Sequence, residues 1–342
     1  MINSKPSEIT VAQVFEAYYD CRKRKRNTAS ARAFEINLES NLMELFEELR
    51  SGTWEPSPAS VFVVLHPKPR EVWAADFRDR IVHHLVYKAI GQKFERAFIA
   101  DSCACMKGRG TLYAANRLEG HMRSATENWS KTAFLLKADI ANFFGSIRQD
   151  ILFDKLARRI EDPTMLDLCC KLVFQDVKQD AIVRSTPSVL ALVPPHKSLF
   201  HAAPGVGLPI GNLSSQFFAN VYLDSLDQMI KRRLGMCHYV RYVDDMALVH
   251  SSTTALLEAA QAMREHLAEI GLALAEWKTF IAPAAKGIYD PETGAWETRN
   301  EVTQERAETL YEAGEVIKEI ATNAFSHPSV IAALQGMGGN DR

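Results

Sequence analysis

Two adjacent aspartates interrupt the apolar stretch CHYVRYVDDMALVH (237–250), and this feature limits the possible folds more than any other in the sequence. The residues on both sides of Asp244 and Asp245 are aromatic, β-branched or aliphatic, which is typical of buried strands. A buried carboxylate needs a partner, and two neighbouring carboxylates repel each other. The stretch therefore predicts a tight hairpin bend at the aspartates, with a positive charge close by. A purely structural role as turn residues is the alternative at this point.

A third carboxylate, Asp139, ends another apolar strand in the stretch LLKADIANFF (135–144). If this strand lies beside the hairpin, the three carboxylates meet at one edge of a sheet. Such a cluster is unstable without divalent cations, and oxygen ligands suit Mg²⁺. Two Mg²⁺ ions about 3.5–4 Å apart can activate a 3′-hydroxyl and stabilise a departing pyrophosphate. That is the chemistry of a nucleotidyl transferase.

Other features indicate a cytoplasmic protein that does not enter a membrane. The sequence has no run of about 18 apolar residues, and its beginning, MINSKPSEIT, lacks the pattern of a signal peptide. The six cysteines show no C-x-x-C spacing, so we expect reduced thiols rather than disulfides or zinc.

The charge of the chain is distributed unevenly. The net charge is −2, but residues 1–250 carry 33 Lys and Arg against 28 Asp and Glu, and residues 251–342 carry 7 against 14. Basic clusters at CRKRKR (21–26) and KRR (231–233) can contact a phosphate backbone. Solvated helix faces explain the same clusters equally well.

Apolar periodicity predicts an α+β fold, in which an antiparallel sheet is backed by helices, because strands and helices are interleaved without regular alternation. The predicted helices lie in 8–50, 79–98, 112–124, 150–175, 215–234, 253–270 and 302–322. The predicted strands are 60–67, 133–144, the hairpin 237–250 and 273–283, and 181–199 is predicted to be an extended hairpin.

Six blocks of the sequence together resemble the reverse transcriptases. In chain order they are PKPREVWAADFRDRIVHH, DSCACMKGRGT, LLKADIANFFGSI, GLPIGNLSSQFFANVYLDSLD, RYVDD and GLALAEWKTFIAP. The resemblance implies a right-hand polymerase that copies an RNA template from a nucleic-acid primer with dNTPs. It also implies N-terminal helices and fingers in 1–132 and a palm in 133–285, with an inserted fingers or connection segment at about 155–212. An atypical, reduced and acidic thumb with a C-terminal helix would occupy 286–342.

The resemblance also assigns roles around the carboxylates. Asp139 and Asp244 would bind both of two Mg²⁺ ions, for which Mn²⁺ can substitute, and Asp245 would be a less direct ligand. The backbone carbonyl of Ile140 would complete the shell of one ion. Lys278 matches a lysine proposed to protonate the departing pyrophosphate. A solvent-facing lysine is the alternative for that position.

Nucleotide-binding roles follow from the same resemblance. Lys68, Arg70 and Arg80 fall in the fingers segment, where basic residues hold the triphosphate, and arginine suits bidentate contact with phosphate. Arg80 has a structural alternative, in which it pairs with a nearby aspartate. Phe144 matches the aromatic residue that excludes a ribose 2′-hydroxyl, and plain core packing is its alternative.

The loop GLPIGNLSSQ (207–216) resembles that of the error-prone enzymes of diversity-generating retroelements, which use a small helical accessory protein. In that family the loop lines the nascent base pair, so Ile210, Gly211 and Gln216 would contact the nucleotide. An apolar side chain at 210 supplies no hydrogen bond to hold the nucleotide, so looser discrimination is expected.

Two departures keep other interpretations open. KGI (286–288) is not followed by the Gly-x-x-Phe-Leu-Gly-Tyr turn of the retroelement enzymes, and a net charge of −2 is low for that usually basic group. A defence-associated reverse transcriptase of the abortive-infection type is the first alternative. A non-catalytic RNA-binding protein with the same fold is the second. The segment 178–203 is an insertion without an assigned role.

Overall fold

A computed structural model describes residues 8–23, 28–66 and 68–284, and the backbone of Gly287–Tyr289 and Trp296–Thr298. The described residues form two compact units. The first contains the residues up to Ala97 together with Phe144–Tyr222, and the second contains Phe98–Phe143 together with the described residues from Leu223 onward. Within the described ranges, no helix combines the length and the apolar content that a membrane span requires.

The helices and strands are numbered in chain order. The helices are α1 (Val11–Arg22), α2 (Ala29–Ile36), α3 (Leu38–Ser51), α4 (Phe77–Glu95), α5 (Thr111–Ala125), α6 (Phe143–Ser146), α7 (Gln149–Ala157), α8 (Pro163–Phe174), α9 (Pro187–Leu190), α10 (Leu213–Gln228) and α11 (Thr253–Glu269). The strands are β1 (Ser60–Val64), β2 (Arg70–Ala74), β3 (Phe134–Ala138), β4 (Ile182–Val183), β5 (Tyr239–Tyr242), β6 (Asp245–His250), β7 (Phe280–Pro283), β8 (Gly287–Tyr289) and β9 (Trp296–Thr298).

The first unit packs helices around a small sheet with the order β2-β1-β4. β1 and β2 are antiparallel, and β4 joins the other side of β1 in parallel orientation. The central helix α4 begins where Asp76 caps it, since the carboxylate of Asp76 accepts a hydrogen bond from the backbone of Arg78. α1 and α2 pack on α4, whose buried apolar residues include Ile81, Leu85 and Phe94.

The second unit is built on a fully antiparallel sheet with the order β5-β6-β3-β7. Every residue of β5 is buried, and β6 is buried from Asp245 to Val249. The helices α5 and α11 pack against this sheet. The predicted antiparallel sheet backed by helices is therefore confirmed, and the most deeply buried strands are the two that flank the Asp-Asp pair.

The prediction of an extended hairpin over 181–199 is wrong. Only Ile182–Val183 forms a strand, and α9 and two 3₁₀ turns, Pro195–Lys197 and Leu199–His201, follow it. Prolines at 187, 194 and 195 remove the N–H donors that a strand ladder would need. The predicted helix 150–175 is divided at Asp162, which caps α8 ahead of Pro163.

The strand predicted over 273–283 is shorter than expected, because Glu276–Lys278 form a 3₁₀ turn before β7. The predicted helix 302–322 and most of the predicted thumb lie outside the described residues. The division into fingers, palm and thumb stays a prediction, because the compact units divide the chain at other positions.

Candidate active site

The hairpin that carries the Asp-Asp pair has a two-residue loop. Tyr242 pairs with Asp245, so Val243 and Asp244 form the loop. Val243 has φ 58°, a positive value at the first loop position, which two-residue hairpins of types I′ and II′ require. A β-branched residue is unusual there, and such strain costs roughly 1–3 kcal/mol. The predicted bend at the aspartates is confirmed, and a strained residue precedes them.

The strand pairing brings Asp139 to the same end of the sheet. β3 and β6 pair antiparallel, with Ala138 opposite Met246, so the next residue along β3, Asp139, stands across from Asp245. Side chains at directly opposed positions lie about 4.5–5.5 Å apart at Cβ. Asp139, Asp244 and Asp245 are each at most 3% exposed. The strand register therefore puts all three aspartates at one buried end of the sheet, and their role as metal ligands stays a prediction.

A lysine supplies the positive charge that the sequence predicted. Lys278 donates a hydrogen bond from Nζ to Oδ2 of Asp139 at 2.6 Å. Burial lowers the pKa of Lys137, an effect that the nearby charges of Asp245 and Asp139 oppose. The ammonium of Lys278 thus contacts the carboxylate cluster, although its side chain is 42% exposed.

The donor atoms at this end of the sheet are oxygens, the type of ligand that binds divalent cations. The carbonyl of Asp139 accepts a hydrogen bond from the N–H of Ala275 at 2.8 Å, and the N–H of Ala141 donates to the carbonyl of Ala273 at 2.9 Å. Ala273 and Ala275 lie in the segment before β7. Because hydrogen-bonding groups alternate between the two sides of a strand, the carbonyl of Ile140 faces the β6 side. Carboxylate and carbonyl oxygens are the ligands that Mg²⁺ and Mn²⁺ prefer, but within the described residues no group of three or more Asp, Glu, His or Cys side chains is arranged as a metal site.

A buried ion pair adjoins the hairpin loop, and no role was predicted for it. Arg241 donates from Nε and Nη2 to the two carboxylate oxygens of Asp227, at 2.8 and 2.7 Å. Tyr239 donates its hydroxyl to the same carboxylate at 2.8 Å. Arg241 also donates to the carbonyl of Val243 at 2.9 Å and to the hydroxyl of Ser102 at 3.0 Å. The sequence signal for this ion pair is Arg241 itself, a charged residue within the apolar stretch that leads to Asp244 and Asp245.

Arg241 carries a permanent positive charge in this ion pair. Burial lowers the pKa of Arg241, but the charge and the hydrogen bonds of Asp227 outweigh it, so the pKa is raised overall. Burial and the charge of Asp227 raise the pKa of Tyr239 well above its usual value. At neutral pH, Arg241 is therefore charged and Tyr239 keeps its proton.

The predicted nucleotide-binding residues lie in the first unit. Lys68 is exposed in the turn between β1 and β2, and Arg70 is half-buried at the start of β2. Arg80 donates from Nε to the carbonyl of Ala75 at 2.9 Å, and burial lowers its pKa. Phe144 is buried, at 6% exposure.

The loop before α10 runs along β2 within the first unit. The carbonyl of Ile210 accepts a hydrogen bond from the N–H of Trp73 at 2.7 Å. Gly211 has φ +125°, and a Cβ there would lie 2.8 Å from Cγ1 of Val72 and 3.1 Å from the carbonyl oxygen of Trp73. Gln216 is half-buried in α10. β2 thus carries Arg70 at its start and contacts Ile210 and Gly211 at Val72 and Trp73.

The class of protein follows from comparison with known families. The family model described as reverse transcriptase (RNA-dependent DNA polymerase) matches residues 67–299. The chain belongs to this family.

The chain is similar to Protein YkfC of Escherichia coli (strain K12), with 23% identity over 228 residues. The match covers 66% of this chain and 55% of YkfC, so the chain spans about half the length of this curated relative. Among solved structures it is similar to the apo telomerase from Candida tropicalis truncated from its C-terminal domain, at 12% identity and a TM-score of 0.49. That match covers 66% of this chain and 51% of the telomerase. The telomerase from Candida albicans with the TWJ fragment of telomeric RNA matches at 11% identity and a TM-score of 0.46, over 67% and 42% of the two chains.

Proposed function

We propose that this protein is an RNA-directed DNA polymerase that extends a primer with dNTPs by two-metal-ion nucleotidyl transfer. One observation carries the proposal most directly: the strand register sets Asp139 across from Asp245 at the buried end of the sheet, one residue from Asp244. Membership of the reverse transcriptase family supplies the reaction class.

The carboxylates and the carbonyl of Ile140 would hold the ions. Asp139 and Asp244 would be the shared ligands, and Asp245 would be the less direct one. When bound, the divalent ions lower the pKa of the primer 3′-hydroxyl and neutralise charge on the departing pyrophosphate. Asp139 directly follows β3, Asp244 lies in the hairpin loop and Asp245 begins β6, so the ends of paired strands would support the three carboxylates.

Lys278 would donate a proton to the pyrophosphate as it leaves. Its ammonium now lies 2.6 Å from the carboxylate of Asp139, and its side chain is 42% exposed. A half-exposed lysine on a 3₁₀ turn can change rotamer, so it can release Asp139 and reach a phosphate oxygen. The contact with Asp139 supports a place for Lys278 in the reaction.

The first unit would contact the nucleotide. Lys68 and Arg70 would bind the triphosphate, and Phe144 would exclude a 2′-hydroxyl. The bond between Arg80 and the carbonyl of Ala75 favours a structural role for Arg80 over phosphate binding, with a backbone carbonyl as the partner where the alternative expected an aspartate. An RNA template and a primer would be contacted mainly through phosphates and 2′-hydroxyls.

The finer assignment is to the error-prone enzyme of a diversity-generating retroelement, which would act with a small helical accessory protein. Ile210, Gly211 and Gln216 would line the nascent base pair. An apolar Ile210, whose backbone is held by β2, offers no side-chain hydrogen bond to a mispaired or correct base. A defence-associated enzyme is the alternative, and its products would be untemplated or unusually templated.

Primer extension tests the proposal. Purified protein is supplied with Mg²⁺, the four dNTPs and a primer annealed to RNA, beside the variants Asp244→Asn and Asp154→Asn. Asp154 is an exposed carboxylate on α7 that pairs with Arg158, so its variant is a matched control for the loss of one charge. Extension by the wild type and by Asp154→Asn, but not by Asp244→Asn, is expected. Equal incorporation by Asp244→Asn and the wild type, or none by either, would refute the polymerase assignment and leave the RNA-binding alternative.

Sequencing the products separates the two enzyme types. Substitutions concentrated opposite template adenines favour the retroelement enzyme. Products that do not follow the template favour the defence-associated enzyme.

A further inference from the structure

The ion pair between Arg241 and Asp227 is buried more completely than stability alone explains. Their side chains are 1% and 0% exposed, and two N–H···O bonds join them. Replacing a buried ion pair by apolar residues of similar volume is often neutral or stabilising. A role that depends on the geometry of Arg241 and Asp227 would therefore explain why these two charged residues are buried here.

The geometry leads to the strained residue of the hairpin loop. Arg241 donates from Nη1 to the carbonyl of Val243 at 2.9 Å. That carbonyl belongs to the planar peptide unit that leads into Asp244, so fixing its oxygen fixes the orientation of the peptide. Val243 is held at φ 58°, a conformation that persists only when its surroundings determine it.

Arg241 is itself held from several directions within the second unit. Its N–H donates to the carbonyl of Asp101, and its carbonyl accepts from the N–H of Cys103, both at 2.9 Å. The hydroxyl of Ser102 accepts from Nη2 at 3.0 Å. The backbone and the guanidinium of Arg241 are therefore both fixed. The guanidinium can hold the carboxylate of Asp227 and the carbonyl of Val243 at the same time.

We propose that Arg241, anchored by Asp227, is a positioning residue for the catalytic carboxylates. It holds the peptide between Val243 and Asp244 in the strained conformation, and this directs the carboxylate of Asp244 toward the metal ligands contributed by Asp139. The proposal rests on the proposed function. It adds to the proposed function a reason why the ion pair of Arg241 and Asp227 is buried beside the hairpin loop.

The direct test replaces Arg241 by lysine. Lysine keeps the positive charge, but its single nitrogen cannot bond Asp227 in two places while it also reaches the carbonyl of Val243. Binding of Mn²⁺ to the free protein is measured by electron paramagnetic resonance, beside kcat and KM in primer extension. We expect Arg241→Lys to weaken Mn²⁺ binding by about 10–100-fold, as the loss of groups that orient metal ligands does. We expect kcat to fall while KM for the dNTP changes little.

A second variant gives a rescue that a merely structural role does not predict. Glycine adopts positive φ without strain, so Val243→Gly relieves the conformation that Arg241 has to hold. In the double variant of Arg241→Lys with Val243→Gly, we expect part of the lost Mn²⁺ affinity to return. Ser102→Ala, which removes only one contact of Arg241, should give a smaller loss and is used if Arg241→Lys does not fold.

The matched control is Arg50→Lys in the first unit, where Arg50 pairs with Glu47 at 2.6 Å. It makes the same change of side chain and should leave the affinity for Mn²⁺ unchanged. If Arg241→Lys, or Ser102→Ala in its place, lowers the melting temperature but leaves Mn²⁺ binding and kcat at wild-type values, the positioning role is refuted. A wild type that binds Mn²⁺ but extends no primer refutes the proposed function instead, so the two failures can be distinguished.

Discussion

Replacing Gly211 by alanine should destabilise the first unit, and the structure allows the size of the effect to be worked out. The backbone at Gly211 has φ +125°, and a Cβ would lie 2.8 Å from Cγ1 of Val72 and 3.1 Å from the carbonyl oxygen of Trp73. Either the side chain of Val72 moves or the loop leaves β2. The second response breaks the bond between the carbonyl of Ile210 and the N–H of Trp73.

Gly205→Ala is the matched control, two residues before the same loop. Gly205 has φ +73°, but a Cβ there would meet no atom within 4 Å. Its replacement should cost only the conformational penalty of a left-handed residue, about 1–2 kcal/mol. Gly211→Ala adds overpacking, typically 1–3 kcal/mol, so its expected cost is about 2–5 kcal/mol.

Thermal unfolding followed by circular dichroism measures the difference. A unit of this size loses roughly 2–4 °C of melting temperature per kcal/mol. We therefore expect Gly211→Ala to lower the melting temperature about twice as far as Gly205→Ala, and to raise KM for the dNTP as well. Equal shifts for the two variants would show that close approach to β2 does not explain the glycine at 211.

Three further predictions follow from other sites. Lys278→Ala should lower kcat by roughly 10²–10⁴-fold with little change in KM, because it would remove the proposed proton donor beside Asp139, and steady-state extension assays measure this; a change confined to KM would contradict the role. His83 lies 2.5 Å from the hydroxyl of Ser214, and burial lowers its pKa to about 3. Its unfolded-state pKa is about 6.5, so the stability that it contributes is present above pH 6.5 and is lost as the pH falls toward 3. The melting temperature of His83→Asn should therefore fall less between pH 7 and pH 4 than that of the wild type, and parallel curves would contradict this. Phe144→Val should reduce the preference for dNTPs over rNTPs by roughly 10–200-fold in single-nucleotide incorporation, the range for altered pocket shape, and unchanged selectivity would favour the core-packing alternative.

The acidic cluster could be predicted because its signals are local. Apolar residues on both sides of Asp139 and of Asp244 predict buried strands, and antiparallel pairing then brings the two strand ends together. The positive partner was expected, and Lys278 was already a candidate from the family resemblance. Its contact with Asp139 spans 139 residues of sequence and could be seen only in the structure.

The ion pair of Arg241 and Asp227 could not be predicted, because it depends on how α10 is oriented toward β5. In the sequence Asp227 is one of the two acidic residues of α10, and only the fold shows that it is fully buried. The prediction of an extended hairpin over 181–199 failed for a different reason. Its apolar residues suggested strands, but the prolines that follow removed the donors that a ladder needs.

The most direct test of the account is to locate divalent cations at the acidic cluster. Crystals of the protein soaked in Mn²⁺ are measured by anomalous diffraction, with Asp139→Asn as the control. The account predicts an anomalous peak within coordination distance, about 2.0–2.6 Å, of the carboxylates of both Asp139 and Asp244, and its loss in the variant. Mn²⁺ bound only elsewhere, or the carboxylates of Asp139 and Asp244 too far apart to share an ion in the presence of Mn²⁺, would contradict it.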